Sequence, residues 1–234
     1  MNRRSAPLAL LTLLTMTAPA LAGADGRWQL GLSFGEIPVL AGSFKPGITV
    51  GYRLDDTLFL GLELQAADHL QRDGSSFNAR NTGLDGLVSS TERTGMRAFL
   101  GLRYRPWRDA PHLALGLVMN GEDREVMDFD ARPRVIGGAS ADGALRIVQT
   151  RGRGLGLAVG MGYALSLGGP VSLDTGLAMA LLGDVPTPRV QFAGAGAPEG
   201  EAADAFRAAL ERAYAGNIHN RYHLFTLGLS YRLD

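Results

Sequence analysis

An eight-stranded antiparallel up-and-down transmembrane β-barrel, all-β apart from one short helix in its last extracellular loop, is the fold this sequence predicts. Three observations carry the prediction. The last thirteen residues alternate strictly, with Phe225, Leu227, Leu229, Tyr231 and Leu233 on one face and Leu224, Thr226, Gly228, Ser230 and Arg232 on the other. One wholly apolar face against one of small and polar residues is the pattern of a lipid-facing barrel strand. Seven earlier segments repeat it. The connections between them alternate short and long, which puts every tight turn at one end and every excursion at the other.

The chain of 234 residues carries 32 glycines, no cysteine and a formal net charge of +0. Balanced charge gives no support to a nucleic-acid partner, which would leave a basic stripe. The lack of cysteine removes disulfides, thiolate metal sites and a lipidated N-terminal cysteine. Asn2, Arg3 and Arg4, then an apolar run from Leu8 to Met16, then Ala20-Leu21-Ala22 have the order of a cleaved signal peptide over residues 1–22, leaving 23–234 as the barrel. No later stretch is apolar enough for a helical span, so a membrane-embedded mature chain would have to be a closed barrel.

The first strand begins at Trp28, with Leu30, Leu32 and Phe34 opposing Gln29, Gly31, Ser33 and Gly35. The second covers about 47–54 and the third, after the turn at Asp55-Asp56, runs from Leu58 to Gln65. The polar stretch 67–94 reads as a long loop. Strands four and five, beginning at Arg97 and His112, flank a short proline-bounded connection, and 120–150 reads as a second long polar segment, parts of which prolong the adjacent strands. Strands six and seven pack Leu155 to Ser166 and Val171 to Leu181 around the Gly168-Gly169-Pro170 turn. The third insertion, 183–220, contains a helix over 199–215: Pro198 precedes it, Phe206, Leu210, Ala213 and Tyr214 form its apolar stripe, and Gly216 stops it. Capping of the barrel mouth is its expected role.

A soluble eight-stranded carrier barrel is the competing architecture. It would need solvating charges on the face opposite the leucines, and that face is mostly Gly, Ala and Ser. Trp28, Tyr52, Tyr104, Tyr163 and Tyr231 also share the apolar parity near the short-turn ends, as a periplasmic aromatic girdle would.

The closing Gly-x-Ser-Tyr-Arg-Leu at 228–233, the helical insert before it and the Leu/Gly alternation resemble the small Gram-negative outer-membrane barrel proteins of unassigned function. The resemblance spans nearly the whole mature chain and is specific for architecture. It implies recognition of the last strand by the barrel assembly machinery, although Leu233 and Asp234 stand where those proteins usually end on an aromatic residue. It implies no activity.

An eight-stranded barrel is only wide enough for side chains, so the charges on the inward parity, Arg53, Glu63, Arg97, Arg103, Asp174 and Arg232, are expected to pair within a plugged lumen. Arg151, Arg153 and Arg221 are expected on the lipid-facing parity just above the apolar band, where lipopolysaccharide phosphates would meet them. No catalytic residue, metal site or cofactor is expected. Asp68-His69 is a lone pair at a loop edge, and the acidic run Glu122, Asp123, Glu125, Asp128, Asp130 is interleaved with arginines and lacks calcium-loop spacing. The reading favoured is a non-enzymatic outer-membrane barrel presenting surface loops, serving envelope integrity or binding lipopolysaccharide or a partner. A narrow channel for small or apolar solutes is the alternative, and a lipid-modifying enzyme is third, for want of a nucleophile near a base.

Overall fold

The computed structural model describes residues 27–35, 45–76, 82–107, 110–136, 138–183, 188–216 and 221–233; the expected signal peptide and Asp234 lie outside them. β1 (Trp28–Gly35) and β2 (Lys45–Arg53) are followed by β3 (Leu58–Gln65), which continues past Ala66-Ala67 into β4 (Asp68–Asp73). The chain descends through β5 (Leu87–Thr94) and β6 (Arg97–Tyr104) and climbs again through β7 (His112–Asn120) and β8 (Asp123–Phe129). A small hairpin, β9 (Arg134–Ile136) and β10 (Ala139–Ala141), precedes β11 (Leu145–Arg151), which leads down into β12 (Gly154–Gly168). Then β13 (Val171–Leu182) rises towards β14 (Arg189–Ala193), and α1 (Glu201–Ala215) precedes the final β15 (Arg221–Leu233).

Eight of these strands close into an antiparallel barrel in the order β1-β15-β13-β12-β7-β6-β3-β2. They are the eight strands the alternation predicts. Local chemistry sets the short turns. The Asp55 carboxylate accepts from the Thr57 amide at 2.7 Å, the Thr57 hydroxyl at 2.8 Å and the Leu58 amide at 2.8 Å, which closes β2 onto β3. At the β12–β13 turn, Gly168 and Gly169 take φ of 109° and 56°, a left-handed backbone that a Cβ disfavours.

The outer wall is an apolar belt. Leu113, Leu115, Leu117 and Met119 of β7 and Leu155, Leu157, Val159 and Met161 of β12 are all exposed, Leu155 to 62%. A continuous surface of that size is unstable in water and at rest in hydrocarbon.

The long connections differ from expectation. Segment 67–94, read from sequence as a loop, contains β4 and β5; segment 120–150, read as partly prolonging its flanking strands, contains β8 and β11, which do so; and the insertion 183–220 contains β14 besides its helix. These five strands form a second sheet in the order β14-β11-β8-β5-β4. Their barrel counterparts, β13, β12, β7, β6 and β3, are neighbours in the same order. The raised sheet is therefore the barrel wall carried upward on five adjacent strands. Between the two levels, each of four strands spends two residues where regular alternation spends one: Ala66-Ala67, Gly95-Met96, Gly121-Glu122 and Gly152-Arg153. The pairing stays in step across the breaks, as Arg97↔Asn120 below and Arg93↔Arg124 above show. The inward parity switches while the strands continue, as at aligned bulges.

One face of the raised sheet is covered. Met127, Phe129, Leu145, Ile147 and Val190 pack there against Phe206, Leu210 and Tyr214 of α1 and Ala139 and Ala141 of the hairpin. The helix begins at Glu201, two residues later than predicted, and buries Ala209 rather than Ala213.

Candidate functional site

Two regions follow from this architecture, the lumen and the raised sheet. In the lumen, Gly51, Gly61, Gly101 and Gly116 form one in-register row across β2, β3, β6 and β7. Phe59 and Phe99 lie over it. A Cβ on Gly51 would collide with the Cζ tip of the Phe59 ring, and one on Gly101 would sit 2.5 Å from the Phe99 ring. The glycines thus make room for two phenyl rings in a barrel too narrow to hold them otherwise. Beside Phe99, the buried Val118, Ala158, Ala180 and Leu224 complete an apolar layer. Both phenylalanines fall on the inward parity of the alternation, but their role as the lumen filling does not show along a single strand. The signal was a glycine opposite a glycine next to each ring.

The six predicted lumen charges divide along the barrel axis. Glu63, buried, accepts from the Ser33 hydroxyl at 3.0 Å and the Gln65 amide at 2.9 Å. Arg97, also buried, sits opposite Gln65 and donates to the Asn120 side-chain carbonyl at 2.8 Å. Lower down, Arg53 and Arg103 flank Phe59 in register, and the Arg103 guanidinium lies 5.4 Å from that ring centroid. Arg53, Arg103, Asp174 and Arg232 line a cavity of about 560 Å³ at the short-turn end, with Arg105 and His112. Above it the spaces shrink to about 20 and 40 Å³, room for single waters.

The expected girdle residues lie at the short-turn end as follows. Trp28 and Tyr52 are cross-strand partners in edge contact, centroids 5.0 Å apart. Tyr104, Tyr163 and Tyr231 are exposed on the outer wall.

At the junction the lumen side meets the covered face of the raised sheet. Lys45, buried on the lumen parity of β2, donates from Nζ to the Gly95 carbonyl at 3.0 Å. The Gly95 amide donates to Asp123 at 2.8 Å. Asp123 is ion-paired with Arg151 across β8 and β11. The covered face thus continues the lumen side, and the bare face continues the outer wall. Arg151 lies on the covered parity with Gln149 and Ile147, Arg153 at a break, and Arg221 exposed at the start of β15.

Under the lid, the buried Arg134 donates to the carbonyls of Asp85 (2.9 Å), Arg132 (2.9 Å), Gly143 (3.0 Å) and Asp130 (2.7 Å), and to the Asp130 carboxylate at 2.7 Å. Asp130 also accepts from Arg132, which, together with the positive field of both arginines, holds its carboxyl below the usual range. Glu125, fully buried, accepts from the Ser76 hydroxyl at 2.6 Å. Burial, aided by the Glu125 charge, drives the Tyr214 phenol upward. The acidic run 122–130 is therefore split: Asp128 pairs with Arg146 on the bare side, while Glu125 belongs to the interior. Among the described residues no acidic or histidine cluster has metal-ligand geometry.

No family model and no curated protein matches the sequence. Solved structures do match. CarO of Acinetobacter baumannii superimposes with a TM-score of 0.52 at 12% identity, over 87% of this chain and 96% of that one. The chain has the fold of a small outer-membrane β-barrel. Neisserial surface protein A (TM-score 0.38, 15% identity, 89% and 97% covered) is also similar. So is Ail, the attachment invasion locus protein of Yersinia pestis, solved with the heparin analogue sucrose octasulfate (0.36, 11%, 88% and 94%). At these identities the likeness speaks for the fold.

Proposed function

We propose that this outer-membrane barrel is a non-enzymatic surface protein whose working part is the raised, helix-covered sheet, held above the outer leaflet by a barrel that does not conduct. The observation that carries the reading is the filled lumen: Phe59 and Phe99 seated on a glycine row, with an apolar layer beside them. A path for solute would not be built this way, whereas an anchor would. The investment of five strands and a helix in a folded layer above the membrane supports the same reading.

Lipopolysaccharide is the partner proposed for the wall above the apolar band, through Arg153 and Arg221 with Arg151 behind them. The periplasmic aromatic girdle, the signal peptide and insertion by the barrel assembly machinery through β15 belong to the same proposal. The narrow-channel alternative draws support from the arginine-lined cavity of about 560 Å³ at the short-turn end, which would serve as its vestibule. Planar-bilayer recording of the refolded mature chain tests both. A heat-modifiable barrel without discrete steps is the expected result; reproducible steps would overturn the anchor reading and turn attention to the phenylalanine layer as a gate.

A further inference from the structure

The bare face of the raised sheet carries a row of cations that nothing in the fold explains. Reading across the strands in register, Arg189 of β14 stands opposite Thr150 of β11, Thr150 opposite Arg124 of β8, Arg124 opposite Arg93 of β5, and Arg93 opposite His69 of β4. All three arginines and the histidine are exposed. None of the three arginines has an ion pair among the described residues, although Arg146, Arg132, Arg151 and Arg72 each have one. The next row upward on this face, Gln191, Val148, Val126, Thr91 and Gln71, holds no charge. Glu122, exposed at the break, stands two residues before Arg124 and forms no ion pair with it among the described residues.

Two physical facts give the row a meaning. Like charges directly opposite each other on neighbouring strands repel and destabilise the sheet, so the Arg93–Arg124 juxtaposition calls for a counter-anion from outside. The row also stands at a definite height. Met96, exposed to 59%, stands at the break just above β6, and Arg93 is three residues above it, about 10 Å along the strand. That is the level of the outer-leaflet headgroups on the wall of a barrel whose apolar band is about 25 Å tall.

We propose that Arg93, Arg124 and Arg189 form a site for the phosphate groups of lipopolysaccharide, the lipid A end of which brings its phosphates to this height. The inference rests on the outer-membrane reading above and adds to it a site distinct from Arg151, Arg153 and Arg221. Adjacent guanidinium groups on β5 and β8 take one phosphate between them in bidentate fashion, and Arg189, two strands further along, takes the second. Thr150 between them supplies a hydroxyl. The bound anion removes the cross-strand repulsion, so binding and stability of the raised sheet are linked.

The test uses the full mature chain refolded in detergent, with native mass spectrometry against bisphosphoryl, monophosphoryl and dephosphorylated lipid A and against heparin. The wild-type protein is expected to bind bisphosphoryl lipid A at least tenfold more tightly than the dephosphorylated form, with the monophosphoryl form between. The triple variant Arg93→Gln, Arg124→Gln, Arg189→Gln is expected to lose that preference while keeping its heat-dependent gel shift; the pair Arg153→Gln, Arg221→Gln is expected to keep it. Equal binding of all three lipids by the wild type overturns the site without recourse to any variant, as does a triple variant that still discriminates. Heparin bound in preference to lipid A, and lost in the triple variant, overturns the lipid assignment in favour of a sulfated glycan. Conductance steps in a protein that still discriminates phosphate would sink the anchor reading and leave this site standing.

Discussion

At the scale of single residues, glycines decide what the lumen can hold. Gly51→Ala drives a methyl into the Phe59 ring, and overpacking of this kind costs about 1–3 kcal/mol; the expected outcome is a lower heat-modification midpoint on gels, against which an alanine at Gly216, outside the barrel, with φ of −64° and no atom closer than 3.4 Å to the added Cβ, serves as the comparison. The reverse change, Phe59→Ala with Phe99→Ala, empties the layer and is expected to convert a silent barrel into one with resolvable single-channel steps; silence would mean that the upper contacts of Glu63 and Arg97 block the lumen by themselves. Asp130 shows how charge placement becomes pH dependence. Its folded-state carboxyl is held low by the hydrogen bond from Arg132 and the field of Arg132 and Arg134. A depressed carboxyl contributes stability that is complete above the ordinary carboxylate pKa and is lost as pH falls through the lower folded value. Protection of the raised layer against proteolysis should therefore decline on acidification below the ordinary carboxylate pKa, and Asp130→Asn should flatten that decline.

At the scale of elements, the raised sheet is a folded layer with its own core, so damage to it should stay there. Leu210 and Phe206 are fully buried between α1 and the sheet, and Leu210→Ala is expected to destabilise the lid by roughly 2–5 kcal/mol. The measurement is hydrogen exchange by segment: loss of protection over β8, β11 and α1 with β7 and β12 unchanged. Loss spreading into the barrel strands would show that the two levels fold as one unit. Sequence reading found the barrel strands because water on neither side interrupts their period: lipid outside and packed small residues inside keep every second position apolar. It found α1 from its stripe and its stop. It anticipated that parts of 120–150 prolong the flanking strands, as β8 and β11 do, but missed β4, β5 and β14 and the sheet that all five form, because the parity switches at Ala66-Ala67, Gly95-Met96, Gly121-Glu122 and Gly152-Arg153, and because above the band the outward face meets water and headgroups, so Arg124, Asp128, Arg146 and Thr150 replace leucines. A strand with a polar outer face and a switch of parity looks like a loop when its partners are not in view.

At the scale of the whole molecule, the structure is a barrel below and a helix-covered sheet above, joined where Lys45 and Asp123 converge on Gly95. The outer wall is apolar up to Met96 and turns cationic immediately above it, and a barrel floating in outer leaflet lipid should feel that boundary. Reconstitution into vesicles with and without lipopolysaccharide is expected to raise the unfolding temperature only in its presence, and to do so less at high salt, because exposed ion pairs are screened. The alternating pattern, the order of tight turns and the glycine-rich inward face by themselves determined the closed eight-stranded barrel, since only that arrangement pairs every backbone group of strands this apolar. What fills the lumen, which charges share a layer, where the acidic run divides and which arginines line up across the raised sheet were decided only in three dimensions. Strand alternation is a local property, readable along one segment, whereas each of these depends on register between segments far apart in the chain, and register is set by closure of the sheet.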